Sequence, residues 1–366
     1  MKIVLIILAV WAGLLILTEI GLRIIFGFGN PLIYQADEDI GYLLVPNQKT
    51  RRFGNRIEIN EYSMRSSPIA TVPDSTTLRI LLLGDSIVNG GWWTDQSDLI
   101  SEMLTQQLQQ TLGKNTPRPR VEVLNVAANS WGPPNQLAYL RKFGTFEVAY
   151  LILIINTDDL FTKPPNPEVV GSDRNYPDHQ PVLALLEVLN RFRSPGQPPA
   201  TSSQPQPQPD DPVGYNLKAI EEIRAIATQQ EIPFLLAMTP LLREIGNPGP
   251  RDYEIKARQR LTELTQSQQI PYIDFLTLFN STPEPETLYR DHIHLSVKGN
   301  QFVTQKLTQT LQEQMEISVN FYQESPRQET GDTETGVRSK ETGDTETGVR
   351  SKESGVKSQE TGETVY

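Results

Sequence analysis

The pattern that most restricts the fold is a set of short apolar runs, beginning at Arg79, each ended by polar residues and separated from the next by amphipathic stretches. RILLLGDS (79–86), VEVLNVAANS (121–130), VAYLILIINT (148–157), PFLLAMTP (233–240) and PYIDF (271–275) read as buried strands. Between them Leu99, Met103, Leu104 and Leu108 recur at helical spacing, as do Leu217, Ile220, Ile223 and Ile226, and Phe302, Leu307 and Leu311. Near-continuous apolar strands alternating with amphipathic helices point to a parallel sheet covered on both faces. The expectation is one three-layer α/β/α domain with a parallel five-stranded sheet over about residues 76–318.

Residues 3–17 (IVLIILAVWAGLLIL) carry no charge, and apolar character resumes after Thr18-Glu19 as far as Phe26. A membrane helix needs about 20 mostly apolar residues, so residues 1–27 predict an anchor with an awkward Glu19. The competing reading is a cleaved signal peptide, for which Thr18-Glu19-Ile20-Gly21 is a poor cleavage site. After Arg23 no Lys or Arg follows until Lys49. The positive-inside rule then places the body of the protein outside the cytoplasm.

Residues 28–75 are rich in Gly, Asn, Pro and Tyr and predict a β-rich lead-in, with a hairpin in KTRRFGNRIEIN turning at Gly54-Asn55. SPGQPPATSSQPQPQPDDP (194–212) has no apolar periodicity and reads as a flexible insertion. The tail, 319–366, contains ETGDTETGVRSK twice in succession, at 329–340 and 341–352. Such a unit has no apolar face to offset its ordering entropy, so disorder is expected there.

Composition narrows the chemistry. The chain has no cysteine, which excludes disulfides, zinc-thiolate sites, iron–sulfur clusters and thiol catalysis. Its 33 Lys+Arg against 44 Asp+Glu argue against a general nucleic-acid binder, which needs clustered positive charge. Only His179, His292 and His294 have an ordinary pKa suited to proton transfer near neutrality.

GDSIVNG (84–90) follows the first apolar run and places Ser86 at the carboxyl edge of the sheet, where ligands bind in open α/β folds. The bland alternative is a helix N-cap. Asp291-His292-Ile293-His294 supplies an Asp-x-x-His spacing, in which one loop can present a carboxylate to an imidazole and the imidazole to a serine hydroxyl. His292 reads as a solvated neighbour of that loop, and His179, in RNYPDHQ, as a surface-loop residue. Asp291, His292 and His294 offer metal donors but no recognised ligand spacing.

Taken in order, GDS, the Asn block after the second strand, the block after the third strand and D-x-x-H resemble an SGNH/GDSL hydrolase over residues 79–300. The anchor, GYLLVPN (41–47), EINEYSMRS (58–66) and LGDSIVNG also resemble membrane-associated bacterial members, including relatives of polysaccharide O-acetyl-modifying proteins. The resemblance implies flavodoxin-like strand order and ester cleavage through an acyl-enzyme, with transfer to a glycan hydroxyl or a non-catalytic envelope role as alternatives. It implies an acyl ester as substrate, O-acylated glycan included, and no metal or organic cofactor. By position it makes Ser86 the nucleophile and first oxyanion donor, His294 the base and Asp291 its orienting carboxylate.

Two blocks depart from the family pattern. Ser130 stands where the family has an oxyanion glycine, and can donate its backbone N–H unless φ must be positive. In NTDDLF (156–161), Asp158 stands where an asparagine amide is usual, and an ionised carboxylate cannot donate. Asn156 as the donor, a protonated Asp158 and a weakened centre are the alternatives. Trp92, Trp93 and Trp131 are candidate pocket aromatics.

Overall fold

The computed structural model describes residues 1–112, 118–193 and 208–324. Helix α1 (Lys2–Gly21) buries none of its residues and runs on into a wide π turn, Leu22–Phe26. It is long and apolar enough to cross a membrane.

The lead-in folds as two antiparallel hairpins, β1 (Tyr34–Asp37) with β2 (Gly41–Leu44), and β3 (Lys49–Arg52) with β4 (Asn55–Glu58). The second hairpin turns at Phe53-Gly54, one residue earlier than expected. Arg52 pairs with Asn55, and Phe53 (φ 48°) and Gly54 (φ 89°) both take the left-handed conformation that a two-residue type I′ turn requires. Phe53 tolerates this unusual backbone where its ring is held against Phe26, Phe28 and Trp92.

The central sheet contains β5 (Thr77–Gly84), β6 (Arg120–Ala127), β7 (Tyr150–Asn156), β8 (Phe234–Thr239) and β9 (Tyr272–Asp274). All pairings are parallel and the order is β6-β5-β7-β8-β9, the flavodoxin-like arrangement. Alternation along the strands divides the core into two apolar layers. Leu81, Leu83, Leu151 and Leu153 share one layer, and Ile80, Leu82, Ile152 and Ile154 share the other.

Behind Ser86 runs the single-turn helix α2 (Ser86–Asn89). Helix α3 (Ile100–Leu112) contributes Ile100, Leu104 and Leu108 to the second layer. Helix α4 (Pro133–Phe143) contributes Leu137 and Leu140 to the first. Helix α5 (Ala184–Arg193) stands apart from both layers, beside α1. The first layer is completed by α6 (Pro212–Gln229) and α7 (Asp252–Ser267), the second by α8 (Phe275–Asn280) and α9 (Val297–Glu324).

Of the Pro/Gln-rich insertion, residues 194–207 lie outside the described residues, as do residues 325–366 of the repeat-bearing tail. The described end of the insertion leads directly into a helix: Asp211 caps it by accepting the Gly214 N–H at 3.0 Å, and Pro212 opens α6. Met1–Glu316 forms one compact unit, and Ile317–Tyr366 is a second.

Candidate active site

The site begins where β5 runs into α2. A Cβ on Gly84 would lie 2.3 Å from the Val88 side chain and 3.0 Å from the Ile154 carbonyl oxygen, so the turn closes only without one. Asp85 caps the helix by accepting the Ile87 N–H at 2.9 Å. Its other oxygen accepts the Asn156 amide at 2.7 Å. Burial pushes the Asp85 carboxyl up, against the Ile87 N–H that favours its ionised form. The next residue, Ser86, is thereby held at the carboxyl edge of the sheet.

His294 Nε2 lies 3.1 Å from Ser86 Oγ, and His294 Nδ1 lies 2.9 and 3.0 Å from the two oxygens of Asp291. A nitrogen facing a carboxylate carries the proton, which leaves Nε2 as the acceptor for the serine O–H. The same hydroxyl has a second acceptor in Asp85 Oδ2 at 3.3 Å. Asp291 also accepts the backbone N–H groups of Ile293 (3.1 Å) and His294 (2.9 Å), so the Asp-x-x-His segment is a turn wound around its own carboxylate. Burial alone would raise the Asp291 pKa. The His294 N–H, the imidazole and the Ile293 N–H outweigh it and hold the carboxyl at about 2. A bridge between Tyr289 and Leu295 closes the loop behind these residues.

His292 is excluded from this arrangement. Its ring is 84% exposed and its nearest approach to Asp291 is 3.9 Å. His179 is equally exposed and pairs with Asp178. Trp93 packs on the His294 imidazole with ring centroids 4.4 Å apart, and the Arg290 guanidinium covers the other ring system at 4.7 Å from the Trp93 centroid.

Ser86, Trp92, Trp93, Asn129, Ser130 and His294 line a cavity of about 260 Å³. Arg52, Arg174 and Arg191 complete its polar wall, and no carboxylate among the described residues lines it. Trp131 does not belong to it. Its indole is buried, donates to the Tyr42 carbonyl at 3.1 Å and packs on Tyr139, because the chain turns inward immediately after Ser130.

That turn has φ +59° at Ser130, the left-handed conformation a glycine would adopt without strain. A serine occupies it here, and its N–H finds no acceptor among the described residues. Neither Asn156 nor Asp158 lines the cavity. The Asn156 amide is engaged by Asp85, and its carbonyl oxygen accepts the Asp158 N–H at 2.7 Å. Burial raises the pKa of the Asp158 carboxyl, against the attraction of Arg243. Asp159 is buried, accepts the Asn156 N–H at 2.9 Å, and is pushed up by that burial and by neighbouring Asp85.

Sequence reasoning overlooked Asn129. Its side-chain oxygen is buried without a partner, and the residue lines the cavity beside Ser130. The available signal was a second asparagine directly before the residue at the glycine position. The three arginines were also overlooked, because they come from the lead-in and from the 162–193 region rather than from any motif.

The fold is therefore an α/β protein with flavodoxin-like strand order, and at the carboxyl edge of its sheet a hydroxyl, an imidazole and a carboxylate stand in hydrogen-bonded series. The chain belongs to the GDSL-like lipase/acylhydrolase family, whose model matches residues 82–302. Among solved structures it is similar to an acetyl xylan esterase, AlAXEase, at 14% identity, with 63% of this chain and 98% of that one covered and a TM-score of 0.42. It is similar to a lipase/acylhydrolase from Enterococcus faecalis at 15% identity, covering 64% and 96%, with a TM-score of 0.40. A GDSL-like lipase from Bacteroides thetaiotaomicron matches at 11% identity, covering 67% and 92%, with a TM-score of 0.38. No curated protein matches the chain.

Proposed function

We propose that the protein is a serine-dependent ester hydrolase held at a membrane by α1, with its domain outside the cytoplasm. The observation that carries this reading is the continuous series Ser86–His294–Asp291 within the family-matched region. Ser86 Oγ attacks the acyl carbonyl while His294 Nε2 takes its proton, and Asp291 fixes the ring and balances the imidazolium. The protonated imidazole then donates to the departing alkoxide, and water attacks the acyl-enzyme with His294 again as base.

The developing oxyanion is met by the backbone N–H groups of Ser86 and Ser130 and by the Asn129 amide, which replaces the amide lost at Asp158. Glu19 supports a retained anchor over a cleaved leader. It accepts the backbone N–H groups of Ala184 (2.8 Å) and Leu185 (3.0 Å), and so caps α5 from within the apolar segment. Trp92 and Trp93 at the cavity favour a sugar as alcohol component or as acceptor, since indole faces stack on pyranose rings.

The deciding experiment is labelling of the full chain by a fluorophosphonate, alongside hydrolysis of a short p-nitrophenyl ester. Wild type is expected to label and turn over, whereas Ser86→Ala and His294→Ala lose both. Wild-type protein that stays unlabelled while folded would sink the proposal. Sugar alcohols that compete with water for the acyl group would move the reading from hydrolase to transferase.

A further inference from the structure

Helix α5 carries a buried acid and two exposed leucines, an unusual combination for a helix on a soluble domain. Glu187 is turned inward, only 10% exposed, where it pairs with Arg52 and accepts the Gly29 N–H at 2.6 Å. Leu186 and Leu189 point outward beside Asn190, each 44% exposed, while Ala184 is buried, and Val182, just before the helix, is 85% exposed. Burying Glu187 and exposing three aliphatic side chains is unfavourable in water. It is the expected arrangement where the outer face meets lipid.

Three further observations tie this face to the anchor. Glu19 of α1 caps the first N–H groups of α5, and Arg23 donates to the Val182 carbonyl at 2.9 Å, so α5 is fixed to the end of the apolar helix. The π turn after α1 exposes Ile24, Ile25 and Phe26. The tip of the β3–β4 hairpin packs there too: the Phe53 N–H donates to the Phe26 carbonyl at 3.0 Å, and Lys49, Arg51 and Arg56 project from the same hairpin. Lys49 and Arg56 are paired with Glu58 and Asp95, each at 2.6 Å, so the aliphatic and aromatic side chains next to the end of the apolar helix carry the match to a membrane interface.

We propose that the π turn, the β3–β4 tip and the outer stripe of α5 form one face that rests in the headgroup layer of the bilayer that α1 crosses. The proposal rests on the reading of α1 as a retained anchor. It also places the active site. Ring contacts lead from Phe26 to Phe53 (5.9 Å), Trp92 (5.0 Å), Trp93 (5.7 Å) and His294 (4.4 Å), and Arg52 and Arg191, the partners of Glu187, line the cavity over Ser86, so packing connects the site to this face.

The absence of cysteine makes the test direct. Leu186→Cys and Leu189→Cys, with Ile7→Cys in α1 and Gln110→Cys on α3 as references, are spin-labelled in the full chain. The proteins are reconstituted in phosphatidylcholine/phosphatidylglycerol vesicles, and collisions with oxygen are compared with those of a water-soluble nickel chelate. Labels at 186 and 189 are expected to gain oxygen and lose nickel access relative to position 110. Aqueous behaviour at 186 and 189 with bilayer behaviour at 7 overturns the membrane face and leaves the anchor standing. Aqueous behaviour at position 7 overturns the anchor, and the face with it.

Discussion

At the scale of single residues, the proposed oxyanion site departs from the family pattern in its third donor. If Asn129 supplies it, Asn129→Ala should lower turnover by roughly 100- to 1,000-fold with little change in KM, whereas Asp158→Asn should leave the rate unchanged. Steady-state kinetics on one ester read both, and a rate gain in Asp158→Asn with an unaffected Asn129→Ala would reverse the assignment. Asn156→Ala acts differently: it strips the buried Asp85 of a donor, and an unpaired buried group costs about 1–3 kcal/mol, so its thermal midpoint should fall along with its rate. Acid provides a separate check on Asp291. Its folded pKa, about 2, lies below the ordinary aspartate value, so its contribution to stability is complete above that ordinary value and disappears as pH falls through about 2. The difference in thermal midpoint between wild type and Asp291→Asn should therefore shrink steadily on acidification. Ser86, Asp291 and His294 were legible in the sequence because each sits in a short contiguous motif whose own backbone positions it. Asn129 and the Asp85–Asn156 bond were not, because they depend on the left-handed φ of Ser130 and on how β5 and β7 end side by side.

At the scale of elements, the loop carrying Asp291 and His294 is held by the start of α9. A Cβ on Gly299 would stand 2.1 Å from the Leu288 carbonyl oxygen, and that contact is backbone, with nothing flexible to yield. Gly299→Ala should lower the thermal midpoint and slow fluorophosphonate labelling, while Lys298→Ala on the same turn, where the side chain reaches only Thr287 Oγ1, should do neither. Strands β5 to β8 were readable because each carries a long, mostly buried apolar run, and β9, only Tyr272–Asp274, because Ile273 is buried between two polar-tipped neighbours in an apolar context. Helices α4 and α7 escaped the same reading: α4 opens with two prolines, and α7 buries little more than Ala257 and Leu261 among charged residues. Helix α5 escaped it for the opposite reason, since its apolar stripe faces away from the core that periodicity is used to find. The β3–β4 turn slipped by one residue because Phe53, a poor candidate for positive φ, is recruited by aromatic packing that no local pattern reveals.

At the scale of the whole molecule, the lead-in braces the candidate site. Arg65, fully buried, donates to the carbonyls of Asn89, Gly91 and Thr94, and so pins the loop that carries Trp92 and Trp93. Burial without a directly bonded carboxylate lowers its pKa to about 9. Helix α1 is integrated in the same way: if it is the proposed anchor, deleting residues 1–27 should release the protein from membranes, and it should also speed hydrogen exchange at the Ala184 and Leu185 amides, which lose Glu19. Unchanged protection there would show that α5 is capped by something else. The Ser86–His294 bond, which joins residues 208 positions apart, also has a meaning in time. A ribosome completes the Ser86 hydroxyl long before the His294 imidazole. If the two act together as proposed, the growing chain should be chemically silent until His294 is made, and a fragment cut anywhere between the two residues should stay so.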